Sequence, residues 1–290
     1  MRKKVYDGTL IQALDPVIFL QPFIMPKRCD SQVLTEMEMD LGRAEAFIRE
    51  HKNEIPGLTL YHLVFAALTR AAFEYPQINR FIVKGGVYQR EHVKISMMVK
   101  KEISISGEES SIFPCFESSD TLADMVRKCA EKTEEAFSED QDDSAFDGLL
   151  KVLNALPGFI TEAFARFMFW LDSRGRLPKP LVDIQPFHSS FFVTNVGSIG
   201  LPVIYHHLYE FGTVSGFLAF GQKEWKLYMT KDGTVRRKKV LPVTFLGDSR
   251  ICDGYSYSCA FRTMKRCFEH PEVLLQSYDE QVKEKEKEKA

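Results

Sequence analysis

Apolar side chains recur at three-and-four spacing through Leu60, Leu63, Val64, Ala67, Leu68 and Ala71, the signature of one helical face. Thr59 stands where such a helix is capped, and Pro76 where it must end. The period then changes to two. Phe81-Ile82-Val83 and Val87-Tyr88 flank Lys84-Gly85-Gly86, which predicts a tight hairpin, and Val93, Ile95, Met97 and Val99 alternate with Lys94, Ser96 and Lys100 as in a half-buried strand. Asp120 ahead of Leu122, Met125, Val126 and Cys129 predicts a second capped amphipathic helix. Near the end, Leu241-Pro242-Val243-Thr244-Phe245 reads as a strand, and Tyr255 to Phe268 as a helix that stops before His270-Pro271. No internal repeat interrupts this alternation of helix and strand.

Two stretches depart from the ordinary balance of apolar and charged residues. From Ile184 to Gln222 the only formally charged side chain is Glu210, although the segment is rich in Gly, Ser, Thr, Asn and His. Its β-branched and aromatic runs, Phe191 to Gly197 and Gly216 to Gly221, predict buried strands, and a surface so free of charge suits a contact between subunits. Residues 138 to 148 form an acidic loop, followed from Leu149 to Leu171 by a pair of helices with one apolar face; Pro157 starts the second, which carries Phe159, Ile160, Ala163, Phe164, Phe167, Met168 and Leu171. Such a face packs on its own domain, meets a protein partner, or lies on a membrane surface.

The 290 residues, 44% apolar and 27% charged, fit one large globular domain or two ordinary ones and exclude disorder as the main state. Lys and Arg number 38 against 40 Asp and Glu, so no global basic field exists to attract nucleic acid. The alternating Lys and Glu of 283 to 289 cancel one another within a charged tail, 277 to 290. No segment approaches the ~20 apolar residues a transmembrane helix requires. No apolar run follows the basic N-terminus as in a secretion signal, so the expected location is the cytoplasm. The cysteines, Cys29, Cys115, Cys129, Cys252, Cys259 and Cys267, form no C-x-x-C pair and no metal-ligand spacing with His. They are expected to be reduced core thiols, with no metal bound.

Three short motifs carry a resemblance. Ile24-Met25-Pro26-Lys27-Arg28, Phe192-Val193-Thr194-Asn195-Val196-Gly197 and Asp248-Ser249-Arg250-Ile251-Cys252-Asp253-Gly254 stand in the order found in the catalytic domain of the 2-oxoacid dehydrogenase dihydrolipoamide acyltransferases, whose fold chloramphenicol acetyltransferase shares. The resemblance covers roughly residues 15 to 276, with 138 to 183 as an insertion. It implies a single α/β domain over 1 to 290, a two-layer sandwich of a mixed sheet with helices on a face. It further implies a homotrimer whose active sites lie between subunits, each a channel entered by coenzyme A from one side and a small-molecule acyl donor or acceptor from the other.

The resemblance also assigns roles. The last motif is normally D-H-R-x-x-D-G, in which the His removes the proton from the attacking thiol or hydroxyl. Here Ser249 occupies that position, and a hydroxyl cannot act as base toward a thiol of pKa about 8.5. Thr194 matches the hydroxyl that donates to the tetrahedral oxyanion. Asp253 matches a structural carboxylate that pairs with an arginine, Arg28 or Arg250 here, or it simply caps the helix beginning at Tyr255. His206 and His207, in the low-charge stretch, are candidate replacement bases with Glu210 able to orient an imidazole; their plainer role is as hydrogen-bonded interface residues. His188 is a weaker candidate. Cys252, near the presumed channel, is a conceivable acyl acceptor, although with Cys259 and Cys267 it falls on one packing face. Two functions follow from these residues: a CoA-dependent acyltransferase with a displaced base, or an inactive pseudoenzyme whose trimer, channel or 149 to 171 helices bind a ligand or protein.

Overall fold

A computed structural model describes residues 2–100, 109–137, 148 and 152–289. The chain begins with a two-strand ribbon, β1 (Lys4–Val5) and β2 (Gly8–Leu10), then α1 (Pro16–Ile24), in which Asp15 accepts the Val17 N–H at 2.8 Å and Pro16 takes the first turn. There follow β3 (Gln32–Asp40), α2 (Leu41–His51) and α3 (Leu60–Glu74). The predicted cap holds: the Thr59 N–H donates to His62 Nδ1 at 3.1 Å, and the chain leaves the helix at Tyr75 ahead of Pro76. The hairpin is β4 (Arg80–Val83) and β5 (Gly86–Arg90), with Lys84 and Gly85 both at positive φ as its two-residue turn demands.

Next come β6 (Val93–Lys100), β7 (Glu109–Ile112), β8 (Cys115–Phe116) and α4 (Leu122–Ala136). The cap of α4 is Thr121, not Asp120. Thr121 and Asp124 form a reciprocal capping box, while Asp120 binds Lys128 Nζ at 2.5 Å. After α5 (Gly158–Ser173) and α6 (Lys179–Asp183) the chain runs through β9 (Phe191–Asn195), β10 (Gly216–Phe220), β11 (Glu224–Met229), β12 (Val235–Asp248), α7 (Gly254–Glu269) and α8 (Tyr278–Lys289). The acidic loop at 138–147 and residues 149–151 of the first inserted helix lie outside the described residues.

The main sheet runs β11-β12-β10-β9-β6-β7, with β3 on the other edge of β12. It is mixed: β6, β9 and β10 are parallel and the remaining pairs antiparallel. A second sheet, β1-β2-β5-β4, stands beside it. Side-chain alternation divides the main sheet. Phe191, Val193, Leu218, Phe220, Val243 and Phe245 face the helices, where they join Phe47, Phe65, Leu68 and Phe268 in the principal core. Phe192, Phe217 and Leu246 face the other way and are covered by Leu208 and Val214 of the irregular segment 201–215. The low-charge stretch is therefore two buried strands plus this covering loop.

Several expectations need correction. The cysteines are not all core thiols: Cys29 is exposed on the single 3-10 turn Arg28–Asp30, and Cys115, at the start of the short β8, is half-buried. The inserted helix α5 buries little. Thr161, Phe164, Met168 and Asp172 turn inward, whereas Phe159 is 74% exposed and Phe167, Phe169 and Trp170 are also exposed. Its outer aromatic stripe is not core of this chain.

One guanidinium ties the motifs together. Arg28, 5% exposed, donates Nη1 to Tyr209 O (3.0 Å) and Val214 O (3.1 Å) and Nη2 to Gly212 O (2.6 Å), while its own N–H donates to Glu210 Oε2 at 2.9 Å. Gly212 has φ of 90°, and a Cβ there would meet Phe187 O at 2.1 Å, so only glycine fits. Replacing Arg28 by Met leaves three carbonyls without a donor. The expected loss is about 3 kcal/mol, read as a lower urea midpoint at constant slope; an unchanged midpoint contradicts this role. Asp253→Ala, which removes a cap described below, should cost about 1 kcal/mol in the same assay.

Candidate active site

The motif at 248–254 folds as a rigid turn. Arg250 clasps Asp248 through Nε to Oδ1 at 2.9 Å and Nη2 to Oδ2 at 2.7 Å, and reaches Met25 O at 3.1 Å, so the first and last motifs are in direct contact. Tyr257 Oη donates to Asp248 O at 3.1 Å, and the Ser249 N–H donates to Ser31 O at 2.9 Å. Ser249 is thus held half-buried at the end of β12, with its side chain beside a strong ion pair of which it is not a member.

Asp253 pairs with neither arginine. Its Oδ1 accepts the Ser256 N–H at 2.8 Å and its Oδ2 the Ser256 hydroxyl at 2.9 Å, and these bonds hold its carboxyl below the usual range. It is the N-cap of α7. The arginines are committed elsewhere, Arg250 to Asp248 and Arg28 to the carbonyls of 209–214. Cys252 is 2% exposed, and burial pushes its thiol up to about 12. A thiol held protonated at neutral pH is a poor nucleophile.

Thr194 and Ser249 are far apart within one chain. Register pairs Thr194 with Ala219 and Ala219 with Thr244. Asp248 lies four residues beyond Thr244, roughly 13 Å along β12 and two strands across from Thr194. Within one chain the two do not form a common site.

His206 lies closer to Thr194. Its ring stacks on Phe217, with centroids 3.9 Å apart and planes at 6°. Phe217 pairs with Phe192, so His206 covers the row next to Thr194 on the same, helix-free face of the sheet. Thr244 Oγ1 donates to Ile204 O at 2.5 Å and fixes the approach of this segment. His206 Nδ1 lies 3.0 Å from His207 O. A donating Nδ1–H leaves Nε2 as the ring nitrogen with the lone pair. Burial lowers the imidazole below its ordinary value of 6.5. His207 is exposed. Glu210 orients neither ring, because its carboxylate accepts the Arg28 N–H.

Sequence reasoning missed the cluster around Asp172. Its Oδ1 receives hydrogen bonds from Tyr6 Oη and His188 Nε2, each at 2.8 Å, and its Oδ2 accepts the Gly212 N–H at 2.8 Å. Burial opposes ionisation of Asp172, but these hydrogen bonds and the nearby imidazole outweigh it and keep the carboxyl low. Asp172 is the buried end of α5, so the insertion is anchored beneath the covering loop. Nothing local in the sequence joins residues 6, 172, 188 and 212.

No protein-family model matches the sequence, and no curated protein matches it. Solved structures do match. Dihydrolipoamide acetyltransferase of Azotobacter vinelandii superposes over 91% of this chain and 94% of its own with a TM-score of 0.58 at 14% identity. A chloramphenicol acetyltransferase does so over 89% and 98% with a TM-score of 0.54 at 15% identity. The truncated catalytic core of the 2-oxoacid dehydrogenase multienzyme complex of Thermoplasma acidophilum covers 90% of this chain and 98% of its own, TM-score 0.53, identity 14%. The chain therefore has a chloramphenicol-acetyltransferase-like acyltransferase fold and resembles in structure the catalytic domains of dihydrolipoamide acetyltransferases.

Proposed function

We infer that the protein is a CoA-dependent acyltransferase that works as a homotrimer and moves an acyl group between a thioester and a small-molecule acceptor. The observation that carries this reading is His206: a ring seated against Phe217, with one nitrogen bound to a carbonyl and its proton affinity lowered by burial, on the same sheet face as the Thr194 hydroxyl. In the Azotobacter enzyme a serine, a histidine and an asparagine have roles in the catalytic mechanism. Here Thr194 takes the hydroxyl role and Ser249 stands where the motif has histidine. His206 Nε2 accepts the proton from the attacking group as it adds to the thioester carbonyl, and Thr194 Oγ1 donates to the oxyanion. When the tetrahedral adduct collapses, the imidazolium returns that proton to the departing CoA thiolate. The sites lie between subunits, and Leu34 and Tyr205, exposed on the helix-free face, meet the neighbouring copy.

A second reading keeps the trimer and drops the chemistry. It is favoured by the motif turn itself, where Ser249 cannot take a proton and Cys252 is locked as a thiol. In that case the insertion at 138–183, with the exposed aromatic stripe of α5, binds a protein partner. Neither reading uses a metal.

Sedimentation should give three copies of the 33.3 kDa chain; a monomer at micromolar concentration removes the intersubunit site. Acyl-CoA turnover should fall roughly a hundredfold or more in His206→Gln and by a similar factor in Thr194→Val, while His207→Gln retains it. A base with a lowered pKa is active once deprotonated, so kcat/KM should be flat above pH 6.5 and decline only below it. If the wild type releases no CoA from any short-chain thioester, the binding reading stands instead.

A further inference from the structure

A cleft of about 980 Å³ opens between the N-terminal ribbon and the chain that follows α5, and none of Thr194, His206, His207 or Ser249 lines it. Six cationic side chains, Arg2, Lys4, His92, Lys94, Arg176 and Lys179, surround it against two carboxylates, Asp7 and Asp183. Asp7 is already committed: its Oδ2 takes Arg90 Nε at 2.8 Å and lies 3.4 Å from His92 Nε2. Hydrogen bonds to Asp7 and Cys115 raise His92 to about 10, so the ring carries a proton at neutral pH. Lys94 is half-buried. Its ammonium lies 5.4 Å from the Phe113 ring centroid and, among the described residues, has no carboxylate within salt-bridge distance. Burial lowers the proton affinity of Lys94 more than the carboxylates of Asp183 and Asp7 restore it, and an anion in the cleft favours its charged form.

The ligand that such a lining fits is anionic. The cationic excess suits a dianionic group better than a single carboxylate. His92, Cys115 and Glu117 do place one ligand atom each within 4.8 Å of one another, a grouping their spacing in the sequence conceals. A metal ion there would have to displace the His92 proton beside Lys94, and the sign of the surrounding charge opposes it.

We propose that this cleft binds a phosphate group, free or as a monoester, with its oxygens on Lys94 and His92. The site is separate from Thr194 and His206 and does not depend on acyl transfer. Calorimetric titration of the full chain at pH 7 and low salt, with glycerol 2-phosphate, inorganic phosphate, glycolate and zinc as probes, tests it. Inorganic phosphate and glycerol 2-phosphate should both bind saturably and at least tenfold more tightly than glycolate, the tighter of the two telling a free phosphate from an ester. Lys94→Met and His92→Gln, each shown to keep the wild-type circular dichroism spectrum and urea midpoint, should each weaken phosphate binding tenfold or more, and Lys231→Met should not. The proposal is overturned by the absence of saturable phosphate binding, by glycolate binding as tightly as the phosphates, by unaltered binding in folded Lys94→Met, or by saturable binding of zinc alone that Cys115→Ser abolishes.

Discussion

The guanidinium of Arg28 is the constraint around which the functional half of the molecule is organised. Its charge is buried, which lowers its proton affinity, and its donors are satisfied by three carbonyls of one irregular segment and by no carboxylate. Carbonyl acceptors cannot move apart without stranding a buried cation, so the segment 209–214 has one permitted path. That path places Leu208 and Val214 over Phe192 and Phe217, and His206 against Phe217. Arg250 performs the related task at the other end: by holding Asp248 and the carbonyl of Met25 it fixes where the chain carrying Arg28 begins. The short motifs at 24–28 and 248–254 are therefore scaffolding first. Their side chains position the covering loop and the end of β12.

Sheet alternation explains why charge vanishes from 184 to 222. One side of β9 and β10 fills the principal core, so it must be apolar. The other is neither core nor free surface: Phe192, Phe217 and Leu246 are covered by a loop one residue thick, beyond which Leu34, Tyr205 and Ile199 remain exposed. A face of that kind, apolar and only thinly covered, suits the contact between copies of the chain proposed above.

What the sequence made legible follows from where regular periodicity survives. α4 and α7 each bury one face, and they, like α3, the β4-β5 hairpin and β6, were readable from spacing and turn residues, although α3 proves buried on every side from His62 to Ala72. β3 was not. Its inward residues, Met37 and Met39, alternate with Glu36 and Glu38, but the exposed Val33 and Leu34 blur the period. The start of β12 was hidden because Arg236 to Lys239 lie in a two-stranded ribbon open to solvent, where charge is tolerated on both sides. The motif residues were found by resemblance, yet their partners were not. Asp253 caps a helix, Glu210 binds the Arg28 backbone, and the cap of α4 is one residue later than expected. Each outcome turns on a hydrogen bond a few ångströms long between positions whose identity alone permits several arrangements. The Asp172 cluster and the cationic cleft combine residues from 2 to 212, and no window of sequence contains them.

In the proposed chemistry the base is His206 and not a residue of the 248–254 turn, and the two positions make different demands. A base in the 248–254 turn would stand beside the Asp248–Arg250 pair, whose opposed charges nearly cancel and whose geometry is rigid. His206 has no such neighbour: it rests on an aromatic ring, and its orientation comes from a carbonyl one residue away. Burial keeps it neutral, which makes it available as an acceptor but weakens it as a base, since its proton affinity falls with its pKa. An enzyme built this way is best matched to acceptors that give up their proton readily, thiols before alcohols, because the weaker base narrows the range of protons it can remove.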